Sequence, residues 1–380
     1  MKKTLAAVAV LGAFAGSALA ADVQLYGVVD TGLRYTHFDG DAAAAGYDAV
    51  DKFEMKSGQQ SSSRFGFKGT EDLGNGLTVG FILENQFNSD DGSLSDSDHF
   101  FRREASLFLE GGFGKIAMGR IGSINNGVSS WAQFGMLSAF GTSWDYSAQM
   151  GTWAVGAGIW DNMIAYQTPT FAGFTVYAQY GMGSNNNENE SSSDRYYALG
   201  AKYANGPLNL YLAVDSINYQ TADLTGVNAD DIDDSLTVTF GGNYDFEVVK
   251  LFAGAQYYDE AKISTAFGLL DSADYNATTN AGKFKGWSLG VSASIPAAGG
   301  QVLVGAGYMD AEAADSQKAA KDDELTRWVV SAGYDYPLSK RTNVYGILTY
   351  AQDSLDYTET TAKDQDPTVF AAMIGLRHKF

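Results

Sequence analysis

From residue 23 to the final Phe380, apolar side chains recur at every second position. In the first such run Val23, Leu25, Val29, Leu33 and Tyr35 share one side, while Gln24, Tyr26, Asp30 and Arg34 share the other. Strand pleating sends successive side chains to opposite faces, so this period predicts strands with one apolar and one polar face. Later runs repeat it: Leu77, Val79, Phe81 and Leu83 against Thr78, Gly80 and Glu84, and Trp287, Leu289, Val291 and Ile295 against Ser288, Gly290, Ser292 and Ser294. About sixteen runs are predicted, near 23–36, 62–70, 76–88, 100–110, 114–120, 162–168, 172–182, 194–204, 207–219, 235–245, 248–258, 284–296, 301–309, 325–336, 341–352 and 368–380. Most are close to the roughly 9–11 residues that a tilted strand needs to cross a bilayer.

The connections alternate in length. Short ones fall at 73–76, 110–114, 205–207, 296–300 and 337–341, and long ones at 37–61, 89–99, 121–161, 183–193, 220–234, 259–283, 310–324 and 353–367. No proline interrupts a strand: Pro169, Pro207, Pro296 and Pro337 sit at short turns and Pro367 ends a long connection. Short turns on one side and long connections on the other are the arrangement of an outer-membrane barrel. A soluble β-sandwich buries one face as well, but does not call for this strict alternation or for a polar face rich in Gly, Ser, Thr and Arg. The expected fold is therefore all-β, a 16-stranded antiparallel transmembrane β-barrel, in a single domain spanning residues 21–380.

One connection departs from the rest. Between Arg120 and Asp161 the only charged residue is Asp145, whereas Trp131, Phe134, Met136, Leu137, Phe140, Trp144, Trp153 and Trp160 are apolar or aromatic. A long polar-poor loop of this kind is expected to pack against something. The expectation here is that it folds into the barrel lumen and sets the width of a passage, with Gly119 permitting the bend.

Composition narrows the setting. Lys2 and Lys3, a short apolar run at 4–16 and the Ala18-Leu19-Ala20 site read as a cleavable signal peptide, residues 1–20. Its apolar run is shorter than the roughly 20 residues of a spanning helix. The chain has no cysteine, which excludes thiol chemistry and a disulfide framework. The net charge of −20 argues against nucleic acid as a partner. Most of that acidity falls in the long connections, so the strands and turns are close to neutral. The three histidines, His37, His99 and His378, form no catalytic pattern with a nucleophile, and no enzyme activity, metal or cofactor is expected.

At the chain end, Phe370, Ala372, Ile374, Leu376, His378 and Phe380 share one face. Apolar residues at every second position before a terminal Phe resemble the signal read by the outer-membrane assembly machinery. The same strand is expected to pair with the first and leave no open edge in lipid.

Several motifs together resemble the general, trimeric porins of Gram-negative bacteria: LYGVVDTGLRY (25–35), SSSRFGFKGTEDLGNGLTVGFILENQF (61–87), RREASLFLEGGFGKIAMGR (102–120), NMIAYQTPTFAGFTVYAQY (162–180) and the terminal GLRHKF. The resemblance implies a homotrimer of water-filled channels in the outer membrane, surrounded by lipid and lipopolysaccharide and passing ions and small hydrophilic solutes by passive diffusion. It implies a constriction with a basic wall facing acids. By position, Arg64, Arg103 and Arg120 match the basic side and Glu84 a lumenal acid. Alternation places Arg34 on the same lumenal face, and Asp145 and Asp161 are the acids that the uncharged loop offers. Two departures follow. Ile159 and Trp160 stand where the family often has an arginine, and the loop is poor in acids. A bland role for the arginines, pairing with Glu71, Asp72 or Glu104, is the competing reading of each. An adhesin or structural barrel with exposed acidic loops is the alternative for the whole. Weak selectivity leaning to anions is expected, because confined charge outweighs loop charge screened over about 8 Å.

Overall fold

A computed structural model describes residues 23–39, 50–142, 144, 147, 152–153, 158–183, 188–220, 233–262, 283–314, 324–356, 364 and 366–380. The expected signal peptide and Asp145 lie outside these residues. Among them the strands are β1 (Gln24–Asp39), β2 (Val50–Ser57), β3 (Arg64–Gly74), β4 (Leu77–Gln86), β5 (Glu104–Gly111), β6 (Gly114–Gly122), β7 (Ile159–Gln167), β8 (Phe174–Gly181) and β9 (Arg195–Asn205). They continue as β10 (Leu208–Asn218), β11 (Leu236–Asp245), β12 (Lys250–Lys262), β13 (Lys283–Ala297), β14 (Gly300–Ala313), β15 (Glu324–Pro337), β16 (Thr342–Asp356) and β17 (Thr368–Lys379).

All ladders are antiparallel. β2 and β3 both pair with β1, at Thr31–Phe38 and Gln24–Val28 respectively. They form the upper and lower parts of one stave, so seventeen segments build a barrel of 16 strands. β2 was not expected: its VDKFEMKS carries charges within the alternation and lies inside what reads as the 37–61 connection. β17 pairs with both β16 and β1, and Gly27 and Phe380 exchange both backbone hydrogen bonds at 3.1 Å, which closes the barrel.

The faces follow the sequence period. Leu107, Leu199, Phe240, Val291 and Ile374 are exposed on the outside, at 54, 60, 54, 59 and 63%. Asp30, Arg34, Ser106, Tyr211, Ala213 and Thr239, on the opposite face, are buried. So large an apolar exterior is unfavourable in water and is what a hydrocarbon surround solvates. At Gly119, φ is +133° and an added Cβ would lie 2.1 Å from the Ala105 carbonyl oxygen. The β6–β7 register slips between Gly119 and Ile121, so the strand bends here as the segment 121–161 begins.

Candidate pore constriction

The segment after Gly119 turns inward because its apolar side chains find a seat on the inner wall. Ile121 and Ile124 are fully buried among Tyr196, Tyr211 and Ala213. Gln179 clamps the entry: its Oε1 accepts from the Ile124 amide (2.8 Å) and its Nε2 donates to the Gly122 carbonyl (3.1 Å). Tyr211 donates to Asn125 Oδ1 at 2.8 Å. Glu104 on β5 accepts from both the amide and the hydroxyl of Ser130, each at 2.8 Å, and from Ser106 Oγ at 2.8 Å.

Farther on, a short 3-10 turn (Phe134–Leu137) crosses to the opposite wall. Asn243 Nδ2 donates to the Met136 carbonyl (2.9 Å), and the Ala139 amide donates to Ser292 Oγ (2.9 Å). The wall there is lined by glycines. Leu137 lies against Gly241, Trp153 against Gly254 and Gly290, and Phe140 against Gly305 and Gly333. Gly241 is paired with Gly254, and Gly254 with Gly290, so three adjacent strands omit a side chain at one level. Aromatic rings fill the space: Trp153 meets Phe134 edge-on at 5.2 Å, and Trp144 meets Phe140 at 5.8 Å and Tyr345 at 5.3 Å. Sequence reasoning missed this glycine track and took Glu104 for a partner of the arginines rather than the anchor of Ser130. The available signal was glycine recurring at lumenal positions inside strands, where it otherwise weakens a strand.

The charged residues fall into three groups. Arg103 donates through Nε to Glu84 Oε1 (2.5 Å) and through Nη1 to Gln86 (3.0 Å), while Arg64 Nε stands 3.6 Å from Glu84 Oε2. Arg64 also donates to the Ser62 carbonyl at 2.9 Å. Glu84 thus lies between two arginines, directly across the ladder from Glu104, which holds Ser130. Arg34 is elsewhere. It pairs with Glu54 of β2 (Nη2–Oε1, 2.6 Å), six residues further along β1 than the position facing Arg64, or about 20 Å at strand rise.

Arg120 and Asp161 bind each other (Nη1–Oδ1, 2.5 Å), and Arg120 also donates to the Arg102 carbonyl. His99 Nε2 lies 3.4 Å from Asp161, and Asp96 lies 3.2 Å from His99 Nδ1. This group sits where the 89–103 connection returns over the outer side of the wall, with Phe100 against Phe65 and its carbonyl accepting from Asn85. The alternation of β6 runs on from Ala117 to Ile121, both buried, which leaves Arg120 on the other face, and the Arg120–Asp161 pair clasps the two ends of the loop rather than joining Glu84. Neither Glu71 nor Asp72 forms a described ion pair with these arginines. His37 bonds Asp51, and His378 bonds the Thr342 hydroxyl.

The sequence signature of the Gram-negative porins matches residues 6–356. The chain belongs to that family. It is 34% identical to an outer membrane porin protein of Bordetella pertussis and 31% identical to outer membrane porin protein 32 of Delftia acidovorans, in both cases over all of each chain. In three dimensions it is similar to an anion-selective porin from Comamonas acidovorans, with a TM-score of 0.68 and 27% identity over 95% of this chain and all of that one. The chain is an outer-membrane porin of the Gram-negative type, a channel for passive diffusion, and this favours a conducting barrel over a purely structural one.

Proposed function

We propose that the passage is narrowed where the 121–161 segment crosses the lumen beside Arg64, Arg103 and Glu84. The observation that carries this is the two-walled attachment of the loop. Glu104 holds Ser130 next to the arginine group, while Leu137, Phe140 and Trp153 rest on the glycine track across the barrel. Solutes then pass between a loop whose one acid is Asp145 and a wall on which Arg64 and Arg103 share Glu84, while Glu104 is engaged by Ser106 and Ser130. Arginine keeps its charge at any relevant pH, so both guanidiniums stay charged beside the passage. Arg34 with Glu54 lies toward the end of the long connections and acts on entry, and Arg120 with Asp161 frames the loop. Asp145, the acid expected from the loop itself, lies outside the described residues.

This arrangement supports weak anion preference, in keeping with the anion selectivity of the Comamonas porin. We further assign a homotrimeric state, a surround of outer-membrane lipid and lipopolysaccharide, and recognition of Ile374, Leu376, His378 and Phe380 by the barrel assembly machinery. The outward, exposed setting of Ile374, Leu376 and Phe380 supports the last. Reversal potentials across a KCl gradient in a planar bilayer test the selectivity: a modest anion preference is expected, and a strong cation preference would overturn it.

A further inference from the structure

Below the constriction, toward the short turns, a cavity of about 280 Å³ opens on the inner wall and is lined by Gln24, Lys68, Thr70, Ile82, Phe108 and Lys115. The ladders bring these residues together: Gln24 faces Lys68 between β1 and β3, and Lys68 faces Ile82 between β3 and β4. Two ammonium groups therefore share one small cavity. Neither has a carboxylate within ion-pairing distance among the described residues. Glu104 and Glu110, the latter opposite Lys115 in the β5–β6 ladder, act on Lys115 through space without closing a pair.

What holds the two lysines is aromatic. Lys115 Nζ lies 4.0 Å from the centre of the Phe108 ring and 5.3 Å from that of Trp131, and Lys68 Nζ lies 5.3 Å from the centre of Tyr26. Cation–π contact orients an ammonium without neutralising it, and so leaves both charges available to a ligand. The remaining lining is mixed: Ile82 and Phe108 are apolar, and Thr70 and Gln24 bring polar groups. The volume lies near the lower end of small-molecule sites, roughly 300 Å³.

We propose that this cavity is a transient binding site for small organic carboxylates with an apolar body. The carboxylate sits between Lys68 and Lys115, and the body rests on Ile82 and the edge of Phe108. The site lies on the periplasmic side of the arginine group, so it would hold such an anion once it has passed the narrowest point. This rests on the anion-leaning reading above and deepens it by naming a preferred solute class.

The test uses the intact trimer in a planar bilayer, with benzoate as probe and acetate as its apolar-poor control, each titrated against KCl current. Benzoate is expected to reach half-block at a concentration about fivefold or more below that of acetate, and at lower concentration from the turn side. In the double variant Lys68→Met and Lys115→Met, which keeps the apolar stems, the benzoate value is expected to rise about tenfold to meet that of acetate. Lys68→Arg with Lys115→Arg keeps the charge and should retain the discrimination. Open KCl current in each variant shows that the barrel is folded, and reversal potential reads general selectivity separately from block. Equal block of the native protein by benzoate and acetate, or discrimination that survives in the Met variant, would overturn the proposal.

Discussion

Trp153 rests directly on Gly254: a methyl group on that glycine would stand 2.7 Å from the Trp153 Cη2 atom. The inner wall at this level is shaped for the loop, and the loop for the wall. Gly254→Ala is therefore expected to displace Trp153, at a cost of about 1–3 kcal/mol as in other overpacked sites. Single-channel recordings should show an altered and noisier conductance while the folded barrel persists. Unchanged conductance and noise would mean that the loop does not depend on this seat.

Glu104 holds the other end of the crossing. Glu104→Ala removes two charge-assisted hydrogen bonds to Ser130, each worth about 1.5–3 kcal/mol. Loop fluctuations should increase, read as flicker in the open current. Glu104→Gln keeps an acceptor for the Ser130 amide and is expected to show a smaller effect.

Glu84 stands between Arg64 and Arg103 and offsets part of their charge. Glu84→Gln keeps the shape and removes the only carboxylate described within ion-pairing distance of either arginine. The chloride-to-potassium permeability ratio from reversal potentials is expected to rise above the native value; a fall would contradict the lumenal placement of this group.

Closure of the barrel depends on Gly27 having no side chain. A Cβ there would lie 2.3 Å from Phe380 Cζ and 2.6 Å from the Arg64 carbonyl oxygen. Gly27→Val should lower the yield of folded barrel, seen as loss of the heat-modifiable band in gel electrophoresis. Loosening should appear first at the β1–β17 seam.

The clasp beside the outer connection carries a pH dependence. Asp96 accepts the Asp98 amide at 2.8 Å, its largest influence, and the His99 amide at 3.1 Å, and these hold its carboxyl below the ordinary value of 3.8. Its contribution is present above that ordinary value and is lost as pH falls through the lower folded one. Hydrogen-exchange protection of the 89–103 connection, corrected for intrinsic rate, should drop between about pH 5 and about pH 2.5. Asp96→Asn should remove the step.

The strands were legible because the environment enforces one rule along the whole chain. Leu25, Val29 and Leu33 must meet lipid while Asp30 and Arg34 must not, and that leaves a period of two in the sequence. The same rule fails at irregularities. One extra residue between Trp160 and Met163 interrupts the alternation of β7, while that of β6 runs on through Ala117 and Ile121, so Arg120 reads as lumenal by motif and lies on the other face with Asp161 in the structure. Contacts between distant segments left less trace. That Gly241, Gly254 and Gly290 align across three strands depends on register, and that Ser130 reaches Glu104 depends on how the loop folds. Arg64, Arg103 and Glu84 could be recognised one at a time, but their sharing of a single carboxylate could not. β2 escaped notice because eight residues with several charges resemble a solvated loop until β1 is seen beside them.

The most direct test of the whole is the reversal potential of native protein and of the double variant Arg64→Gln with Arg103→Gln, measured across one KCl gradient. If these arginines border the narrowest passage, the native channel shows a modest anion preference and the variant loses it or turns to cations. A variant with the native reversal potential, or a native channel strongly selective for cations, would contradict the proposed constriction.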